Sequence, residues 1–392
     1  MAGRVALFVH GPRNVGGDTT VLLQTLEHLD PAVISAVVVA TPACEAWDRL
    51  VVLGERIKLI GLDMGVTGTD PGSPHRARPA DAAVVAAALA RLLGIIIRER
   101  AEVVYTLDRS RAVLLATLAA KLTRRRLVFH AHYPYYPSAG WSRRVVRAAD
   151  CVVAISQFIR SEYELRGIDP RRTRVVYNGI DAARYAQPSD RAATRTALGL
   201  APDEQFVLLP GRLSRYKGQL DLLEALPLIL EQQPRARIVF AGYDSPELGD
   251  LVVPGRGSVG AVLQGRAAEL GVTERMLLTG ATSRMPELIA AADLVVVPSW
   301  AEPFGLVVAE AMAAARPIVA ADAGAIPELV TDGESAILVP PRDPPALAQA
   351  VVRLLADCAL AQRLATRAQQ VVREKFTIAR YAHEIHDVLL GR

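Results

Sequence analysis

Short apolar runs alternate with helical patterns along almost the whole chain. They predict strands at residues 5–9, 34–40, 57–60, 103–106, 127–130, 151–155 and 174–177, and again at 206–209, 237–241, 276–279, 294–297, 318–321 and 336–339. Most of these runs are apolar throughout, which is typical of parallel strands that are covered on both faces. Strands that alternate with helices predict an α/β fold built of doubly wound layers.

A polar segment at residues 181–204 separates the two series of strands. It contains Pro188, Gly199 and Pro202, a composition typical of a linker or of a peripheral helix between domains. A chain of 392 residues is long enough for two ordinary domains. We therefore expect two α/β domains that face each other across a cleft, with ligands at the carboxyl ends of the strands.

Composition narrows the class of protein. The formal net charge of +4 suits anionic ligands, but it is too small for the dense basic surface of a nucleic-acid-binding protein. The dispersed Cys44, Cys151 and Cys358 offer neither metal spacing nor a disulfide framework, and this favours a cytoplasmic location. A strand pattern begins at Arg4, so no signal peptide is expected, and the apolar stretch 82–97 is expected to be a buried helix rather than a membrane span.

The first chemical motif is a basic turn bounded by glycines, Gly-Arg-Leu-Ser-Arg-Tyr-Lys-Gly at residues 211–218. It lies between a predicted strand and a helix predicted at 220–230, where backbone N–H groups and the helix dipole suit a phosphate. Arg212 can clamp that phosphate, and Lys217 adds a compact charge. Lysine is rare here, since the 45 basic residues include only Lys58, Lys121, Lys217 and Lys375. A solvated basic loop is the alternative.

The second motif is a pair of glutamates, Glu302 and Glu310, in Glu-Pro-Phe-Gly-Leu-Val-Val-Ala-Glu. Glu310 lies in an apolar helix predicted to reach about residue 315, and a ribose diol would match its two carboxylate oxygens. Glu302 can accept hydroxyls of a sugar, while the N–H groups of Phe304, Gly305 and Leu306 can hold a phosphate. The alternatives are a surface carboxylate for Glu310 and a charge at a helix N-terminus for Glu302.

These motifs, together with Ala-Gly-Ala-Ile-Pro-Glu-Leu-Val at 323–330 and the following Asp332-Gly, resemble the donor domain of glycosyltransferase family 4, a family of retaining GT-B enzymes. The resemblance is strong over residues 206–341 and weaker over the first half. It implies that Arg212 and Lys217 neutralise the diphosphate leaving group, that Glu310 binds the ribose, and that Glu302 holds the donor sugar. It also implies a UDP- or GDP-sugar as donor, with neither a metal nor another cofactor.

The resemblance implies a GT-B architecture, with two Rossmann-like doubly wound α/β domains. Residues 1–185 would form the acceptor-side domain, 186–372 the donor-binding domain, and 373–392 a helix that packs back on the first domain. Two positions depart from the family pattern, since Ala336 stands where glycine is frequent and Ala315 stands where glycine is usual after the Glu310 helix. If a left-handed helix end is kept there, the alanine costs on the order of 1 kcal/mol.

Two features of the first half also match the family. Gly16 and Gly17 follow the first strand and precede a helix, so the resemblance places them at the donor diphosphate or the acceptor; a plain turn is the alternative. His130 and His132 end a predicted strand, where family members commonly place a histidine that contacts the donor sugar or the acceptor. We favour His132, but the pattern leaves both open. Alternate residues on a strand share a face, so the pair could also ligate a metal, although no third ligand is evident.

The function that best accounts for these features is transfer of a hexose from a nucleotide-diphosphate sugar to a glycan, a lipid-linked acceptor or a small molecule. A nucleotide-sugar epimerase and a non-catalytic protein of the same fold are the alternatives. A basic cluster in the first half is either a surface for peripheral contact with the inner face of the membrane or a helix end that carries cations. Its members are Lys121, Arg124, Arg125, Arg126, Arg143, Arg144 and Arg147.

Overall fold

The structure is a computed structural model that describes residues 3–11, 17–64, 79–107, 111–134, 140–187, 189–244 and 258–392, with only the backbone described at 79–82, 111 and 140–143. The chain forms two compact units. Unit 1 comprises Met1–Gly179 together with Ile378–Arg392, and unit 2 comprises Ile180–Thr377. The first boundary falls before residue 185, and the second falls after residue 372.

The strands account for the predicted apolar runs. In chain order they are β1 (Arg4–His10), β2 (Ile34–Ala40), β3 (Ile57–Gly61), β4 (Val103–Thr106), β5 (Arg126–Ala131), β6 (Cys151–Ala154), β7 (Thr173–Val175), β8 (Gln205–Pro210), β9 (Ala236–Ala241), β10 (Met276–Gly280), β11 (Leu294–Val297), β12 (Ile318–Ala321) and β13 (Ile337–Val339). Every predicted strand is present, and the ends agree within about two residues, the usual uncertainty of such boundaries.

The helices lie between the strands and follow them at the end of the chain. In chain order they are α1 (Gly17–His28), α2 (Trp47–Val52), α3 (Pro79–Arg98), α4 (Arg111–Leu122), α5 (Gly140–Ala148), α6 (Gln157–Glu164), α7 (Ala182–Tyr185), α8 (Arg191–Ala197), α9 (Gln219–Gln232), α10 (Val259–Glu269), α11 (Met285–Ala291), α12 (Leu306–Ala313), α13 (Ile326–Leu329), α14 (Pro344–Ala356), α15 (Cys358–Lys375) and α16 (Ile378–Leu390).

Unit 1 is built on a seven-stranded sheet in the order β3-β2-β1-β4-β5-β6-β7, and all its strand pairs are parallel. The central strands are buried on both faces, which explains their continuous apolar sequence. Helix α16 packs on α1, where the Tyr381 hydroxyl lies 2.5 Å from Thr25 Oγ1. Arg4 of β1 donates to the carbonyl of Leu390 at 2.7 Å and so satisfies the C-terminal end of α16.

Unit 2 is built on a six-stranded parallel sheet in the order β10-β9-β8-β11-β12-β13. Helices α9, α10 and α14 cover its core, which includes Leu222, Leu263 and Val351. The polar segment 181–204 forms α7 and α8, and α8 packs on α11. The fold class expected from the pattern, doubly wound α/β layers, is confirmed in both units.

Helix α3 is less buried than expected from its apolar sequence. Leu92 and Ile96 are fully buried, but Ile97 is 64% exposed and the face that carries Ala83 and Ala87 lies in solvent. The expectation of a buried helix was therefore wrong for half of its surface. The physical reason is that alanines raise the apolar count while exposing little apolar area each. Among the described residues no single helix is long and apolar enough to span a membrane, and the consecutive helices α14 and α15, bent by 100°, reach that length only as a pair.

Candidate functional site

The sheet topology of unit 2 brings three loops to one edge. The chain runs from β8 outwards through β9 to β10 and then crosses to β11 on the other side of β8. Ligands bind at such a switch point, beyond the carboxyl ends of parallel strands. The loops after β8, β11 and β12 all leave from this edge, and they carry the basic turn 211–218, Glu302 and the segment 323–325.

The turn after β8 packs tightly against the loop after β11. It includes a 3₁₀ turn at Arg215–Lys217, and Gly218, with φ +73°, is the N-cap of α9. A Cβ at Gly218 would lie 2.2 Å from the carbonyl oxygen of Pro298, so only glycine permits this approach. Arg212 donates from Nη2 to the Tyr216 hydroxyl at 2.7 Å. The turn 211–218 is therefore an ordered structure, and its contact with a phosphate stays a prediction.

Lys217 and Glu302 form an ion pair at this edge. The distance from Lys217 Nζ to Glu302 Oε2 is 2.6 Å, and the side chains are 21% and 9% exposed. The structure thus joins two residues that the sequence separates by 85 positions. A partly desolvated cation at the end of β8 can balance the charge of a diphosphate, and the adjacent carboxylate can accept hydroxyl donors.

The backbone of Glu302 is held by the loop after β12. Gly324 has φ +61°, and a Cβ there would lie 2.4 Å from the Glu302 carbonyl oxygen and 2.6 Å from its amide nitrogen. The same carbonyl accepts a hydrogen bond from Ala325 N at 2.8 Å. On the other side, the buried ring of Phe304 meets Phe376 edge to face, with centroids 6.0 Å apart. The start of the segment 323–330 therefore fixes the position of the Glu302 backbone.

Trp300, in the loop after β11, also contacts the turn after β8 and helix α9. Its indole Nε1 donates to Asp221 of α9 at 2.5 Å, and its backbone N–H donates to the carbonyl of Tyr216 at 2.8 Å. The Arg342 guanidinium lies 4.0 Å from the ring centroid, a cation–π contact worth on the order of 1 kcal/mol. Arg342 adopts φ +61°, an unfavourable conformation for a non-glycine residue, and the stacking helps to offset that cost. Burial raises the pKa of Asp221.

Helix α12 carries the second glutamate. Its N-cap, Gly305, has φ +99°, and among the described residues no side chain caps the helix. A phosphate on the N–H groups of Phe304, Gly305 and Leu306 stays a prediction. The helix is followed by Ala315 at φ +50°, the left-handed end anticipated from the sequence. Helix α7, which ends at Tyr185, packs on α12, and burial raises the pKa of the Glu310 carboxyl to about 7.

In unit 1 the two predicted histidines lie side by side at the end of β5. Their rings are 4.2 Å apart, and both side chains are buried. The Tyr105 hydroxyl lies 2.6 Å from His130 Nδ1. Burial lowers the pKa of His132 to about 3 and that of His130 well below its usual value, so both rings are neutral. Neither Nε2 atom has a hydrogen-bond partner among the described residues, so a hydroxylated ligand would satisfy them.

The remaining predicted positions of unit 1 are only partly described. Gly17 is exposed and begins α1 directly after the loop that follows β1, whereas Gly16 lies outside the described residues. Strand β1 is flanked by β2 and β4, so the carboxyl end of β1 is at a switch point of its sheet. Within the described part of the chain, no group of three or more His, Cys, Asp or Glu residues is placed to hold a metal ion.

The basic cluster of unit 1 is partly neutralised by its own surroundings. Lys121 Nζ lies 2.8 Å from Asp150 Oδ1, and Arg126 donates to the carbonyl of Val388 in α16. The side chain of Arg143 is outside the described residues. These contacts fit the interpretation of a helix end that carries cations, at least for Lys121 and Arg126.

Sequence reasoning missed Gly324, Trp300 and Arg342 as residues that hold the loops of the candidate site. Gly324 stands inside the motif 323–330, and Trp300 stands two residues before Glu302, so both were signals that could have been used. Arg342 carries no local signal, because only the fold brings it to Trp300.

Comparison with known proteins agrees with this geometry. The family model described as "Glycosyltransferase Family 4" matches residues 15–184, and the one described as "Glycosyl transferases group 1" matches residues 190–371. A D-inositol 3-phosphate glycosyltransferase of Streptomyces bingchenggensis (strain BCW-1) is 36% identical over 230 residues, which are 57% of this chain and 49% of that protein. The chain spans about half the length of the curated relatives it matches.

Solved structures resemble the whole chain. The crystal structure of Anabaena Alr3699/HepE in complex with UDP and glucose has a TM-score of 0.83 and 26% identity, over 99% of both chains. The same protein in complex with UDP-glucose has a TM-score of 0.82 and 25% identity, over 99% of this chain and 100% of that chain. The expected GT-B architecture, with two Rossmann-like doubly wound α/β domains, is therefore confirmed. Because the two family models together run from residue 15 to residue 371 with a short gap, the chain belongs to glycosyltransferase family 4.

Proposed function

We propose that this protein is a retaining hexosyltransferase whose donor is a nucleotide-diphosphate sugar bound by unit 2. The observation that carries the proposal is the ion pair of Lys217 with Glu302, placed beside Arg212 at the switch point of the sheet. Cation, carboxylate and helix N-terminus there match the three parts of a sugar diphosphate, namely its charge, its hydroxyl groups and its phosphate oxygens.

The residues have distinct roles in this proposal. Breaking the bond between sugar and phosphate develops negative charge on the diphosphate and positive charge on the sugar carbon. Arg212 and Lys217 stabilise the leaving diphosphate, and the N–H groups at the start of α12 add to this stabilisation. Glu302 accepts hydroxyls of the sugar, and Glu310 accepts those of the ribose. Because Glu302 is engaged by Lys217, we infer that the acceptor attacks on the face from which the diphosphate leaves, which retains the configuration.

The relatives suggest which molecules to test first. The Anabaena protein was crystallised with UDP, glucose and UDP-glucose, which supports a UDP-sugar as the first donor, with GDP-sugars as the second. The names of the curated relatives support inositol 3-phosphate as the first small-molecule acceptor, beside glycan and lipid-linked acceptors. In unit 1, the orphaned Nε2 atoms of His130 and His132 are suited to hydroxyl groups of the donor sugar or the acceptor.

Calorimetry of the purified protein with UDP-, GDP- and ADP-sugars, without added metal, tests the proposal. We expect one nucleotide class to bind and Arg212→Ala to weaken it by at least tenfold. The matched control is Arg235→Ala, which removes an exposed arginine of the same unit that precedes β9, at the opposite edge of the sheet. Absence of binding by all three classes, or equal binding by wild type and Arg212→Ala, would overturn the donor site and favour a non-catalytic protein.

Contact with a membrane through the basic cluster of unit 1 stays a prediction. Its test is co-sedimentation with anionic and with neutral liposomes at low salt, because attraction to anionic lipid is screened by salt. Equal sedimentation with the two kinds of liposome would contradict it.

A further inference from the structure

The first half of the turn 211–218 is fixed to the sheet of unit 2. The backbone N–H groups of Gly211 and Leu213 donate to carbonyls at the end of β9 and just after it, at 2.8 and 2.9 Å. Arg212 lies between them, whereas Lys217 lies in the 3₁₀ turn that leads to α9. The spacing between the two cations therefore depends on the contacts that connect the two halves of the turn.

Gln219, the first residue of α9, makes such a connection with its side chain. Its Nε2 donates to the Arg212 carbonyl at 3.0 Å, and its Oε1 accepts from the Ser214 backbone N–H at 3.4 Å. The residue is 1% exposed, although glutamine is usually found at protein surfaces. An amide offers a donor and an acceptor together, so it can pair with a backbone carbonyl and a backbone N–H at the same time. The side chain thus ties the sheet-bound half of the turn to the start of α9.

The second half of the turn is linked to the same amide through Ser214. This serine is fully buried, its N–H donates to Gln219, and its carbonyl accepts from Lys217 N at 3.0 Å. The Arg212 guanidinium reaches across the turn to the Tyr216 hydroxyl at 2.7 Å. The backbones of Arg212 and Lys217 are therefore joined by a short chain of hydrogen bonds in which Gln219 is the central side chain.

A fixed spacing of two cations matters more for a diphosphate than for a monophosphate. A diphosphate carries its charge on two linked phosphate groups, so both cations can be engaged together only if their distance is right. A single phosphate group can be met by one cation alone and is less sensitive to the position of the other. The side chain that holds the turn should therefore affect the two kinds of nucleotide differently.

We propose that Gln219 is a positioning residue for the donor diphosphate, since its amide ties the backbone of Arg212 to the start of α9 and so fixes Arg212 relative to Lys217. This inference rests on the proposed function, because it takes Arg212 and Lys217 as the residues that bind the diphosphate. Gln219 acts through the backbone of the turn and needs no contact with the nucleotide itself.

The experiment compares Gln219→Met with wild type by calorimetry, using the monophosphate and the diphosphate of the recognised nucleoside, UMP and UDP first. Methionine keeps the unbranched shape and the helix propensity of glutamine but lacks the amide donor and acceptor. In wild type we expect the diphosphate to bind about tenfold more tightly than the monophosphate. In Gln219→Met we expect the diphosphate to lose about five- to tenfold and the monophosphate about twofold or less, so that the ratio of the two dissociation constants falls toward one.

The matched control is Gln369→Met. The Gln369 amide also donates to a backbone carbonyl at 3.0 Å, that of Ala313 at the C-terminal end of α12. This variant should leave both dissociation constants and their ratio unchanged. Should Gln219→Met fold poorly, Gln219→Asn keeps the amide but is one methylene shorter, so it cannot reach both backbone groups and should lower the same ratio in part. Equal weakening of the monophosphate and the diphosphate would show a merely structural role for Gln219 and would overturn the proposal.

Arg212→Ala separates a failure of the donor site from a failure of the proposal for Gln219. If wild type binds neither nucleotide, or if Arg212→Ala keeps the wild-type ratio, the donor site itself is wrong and the proposal for Gln219 falls with it. If Arg212→Ala lowers the ratio while Gln219→Met keeps it, the donor site stands and the role of Gln219 is refuted. If both variants lower the ratio and Gln369→Met does not, the proposal is supported.

Discussion

The contact between Gly324 and Glu302 gives a quantitative prediction for Gly324→Ala. Two costs follow from the structure. The left-handed backbone at φ +61° disfavours alanine by about 1 kcal/mol. In addition, the new Cβ would lie 2.4 Å from the Glu302 carbonyl oxygen and must move beyond about 3.0 Å, which shifts the two backbones apart by about 0.6 Å or more. Weakening the hydrogen bond from Ala325 N adds about 1 kcal/mol.

This displacement should affect the sugar part of the donor more than the nucleotide part. Misplacement of a reacting group by about 1 Å costs up to about a hundredfold, so we expect turnover to fall roughly ten- to a hundredfold. With UDP-glucose as the donor proposed above, calorimetry should show that the sugar no longer adds to the affinity, while the affinity for UDP itself changes little. Urea denaturation should show a free energy of unfolding lower by about 2 kcal/mol or more.

Gly333→Ala is the matched control for Gly324→Ala. Gly333 has φ +71°, but a Cβ there would meet no described atom within 4 Å, so the variant carries the backbone cost alone. We expect it to lose about 1 kcal/mol of stability and to keep wild-type turnover. The reasoning is refuted if the two variants lose the same stability, or if Gly324→Ala keeps the preference for UDP-glucose over UDP.

Three further predictions concern charge at the site and in unit 1. Lys217→Ala should lower the rate at which the sugar–phosphate bond of the donor is cleaved by about a hundredfold, whereas nucleotide affinity should fall less than about tenfold. The reason is that the cation acts mainly on charge that develops in the transition state. Equal losses of rate and of affinity would contradict this. Burial raises the pKa of Glu310 to about 7 in the folded protein, whereas its pKa in the unfolded chain is near 4.5. The contribution of the protonated carboxyl to the free energy of unfolding is therefore complete below about pH 4.5 and is lost as the pH rises through 7. Glu310→Gln should therefore be more stable than wild type at pH 8, by about 3 kcal/mol, and equal to it at pH 4, as measured by urea denaturation. Burial lowers the pKa of His132 to about 3. Wild type should therefore lose about 1.4 kcal/mol of stability per pH unit between about pH 6 and pH 4 because of this residue. In His132→Gln the free energy of unfolding should fall less steeply over the same pH range.

The strands were predictable because a parallel strand that is covered on both faces must be apolar at every position. Runs such as 294–297 and 318–321 therefore identify strands without reference to their neighbours, and the structure places β11 and β12 at those bounds. The burial of α3 was not predictable in the same way. Its alanines satisfy an apolar count, but the side that faces solvent is decided by the elements against which the helix packs.

The site was predictable as far as its chemistry is local. Arg212 and Lys217 lie in one turn, and Gly218 after them needs a left-handed backbone, so residue type and spacing alone point to an anion-binding turn. The spacing of Glu302 and Glu310 across a loop and a helix start is likewise a local feature. Their roles toward a donor stay predictions, which the calorimetry described above tests.

The sequence by itself determined the order of strands and helices, the basic turn and the pair of glutamates, because each follows from neighbouring residues within a few turns of chain. Only the tertiary structure decided which groups meet: Lys217 with Glu302, Gly324 with the backbone of Glu302, and helix α7 with α12. The physical reason is that sheet order and crossovers bring the ends of β8, β11 and β12 to one edge, and α7 to α12. Contacts between residues so far apart in the chain exist only once the apolar core has fixed the distances between those elements.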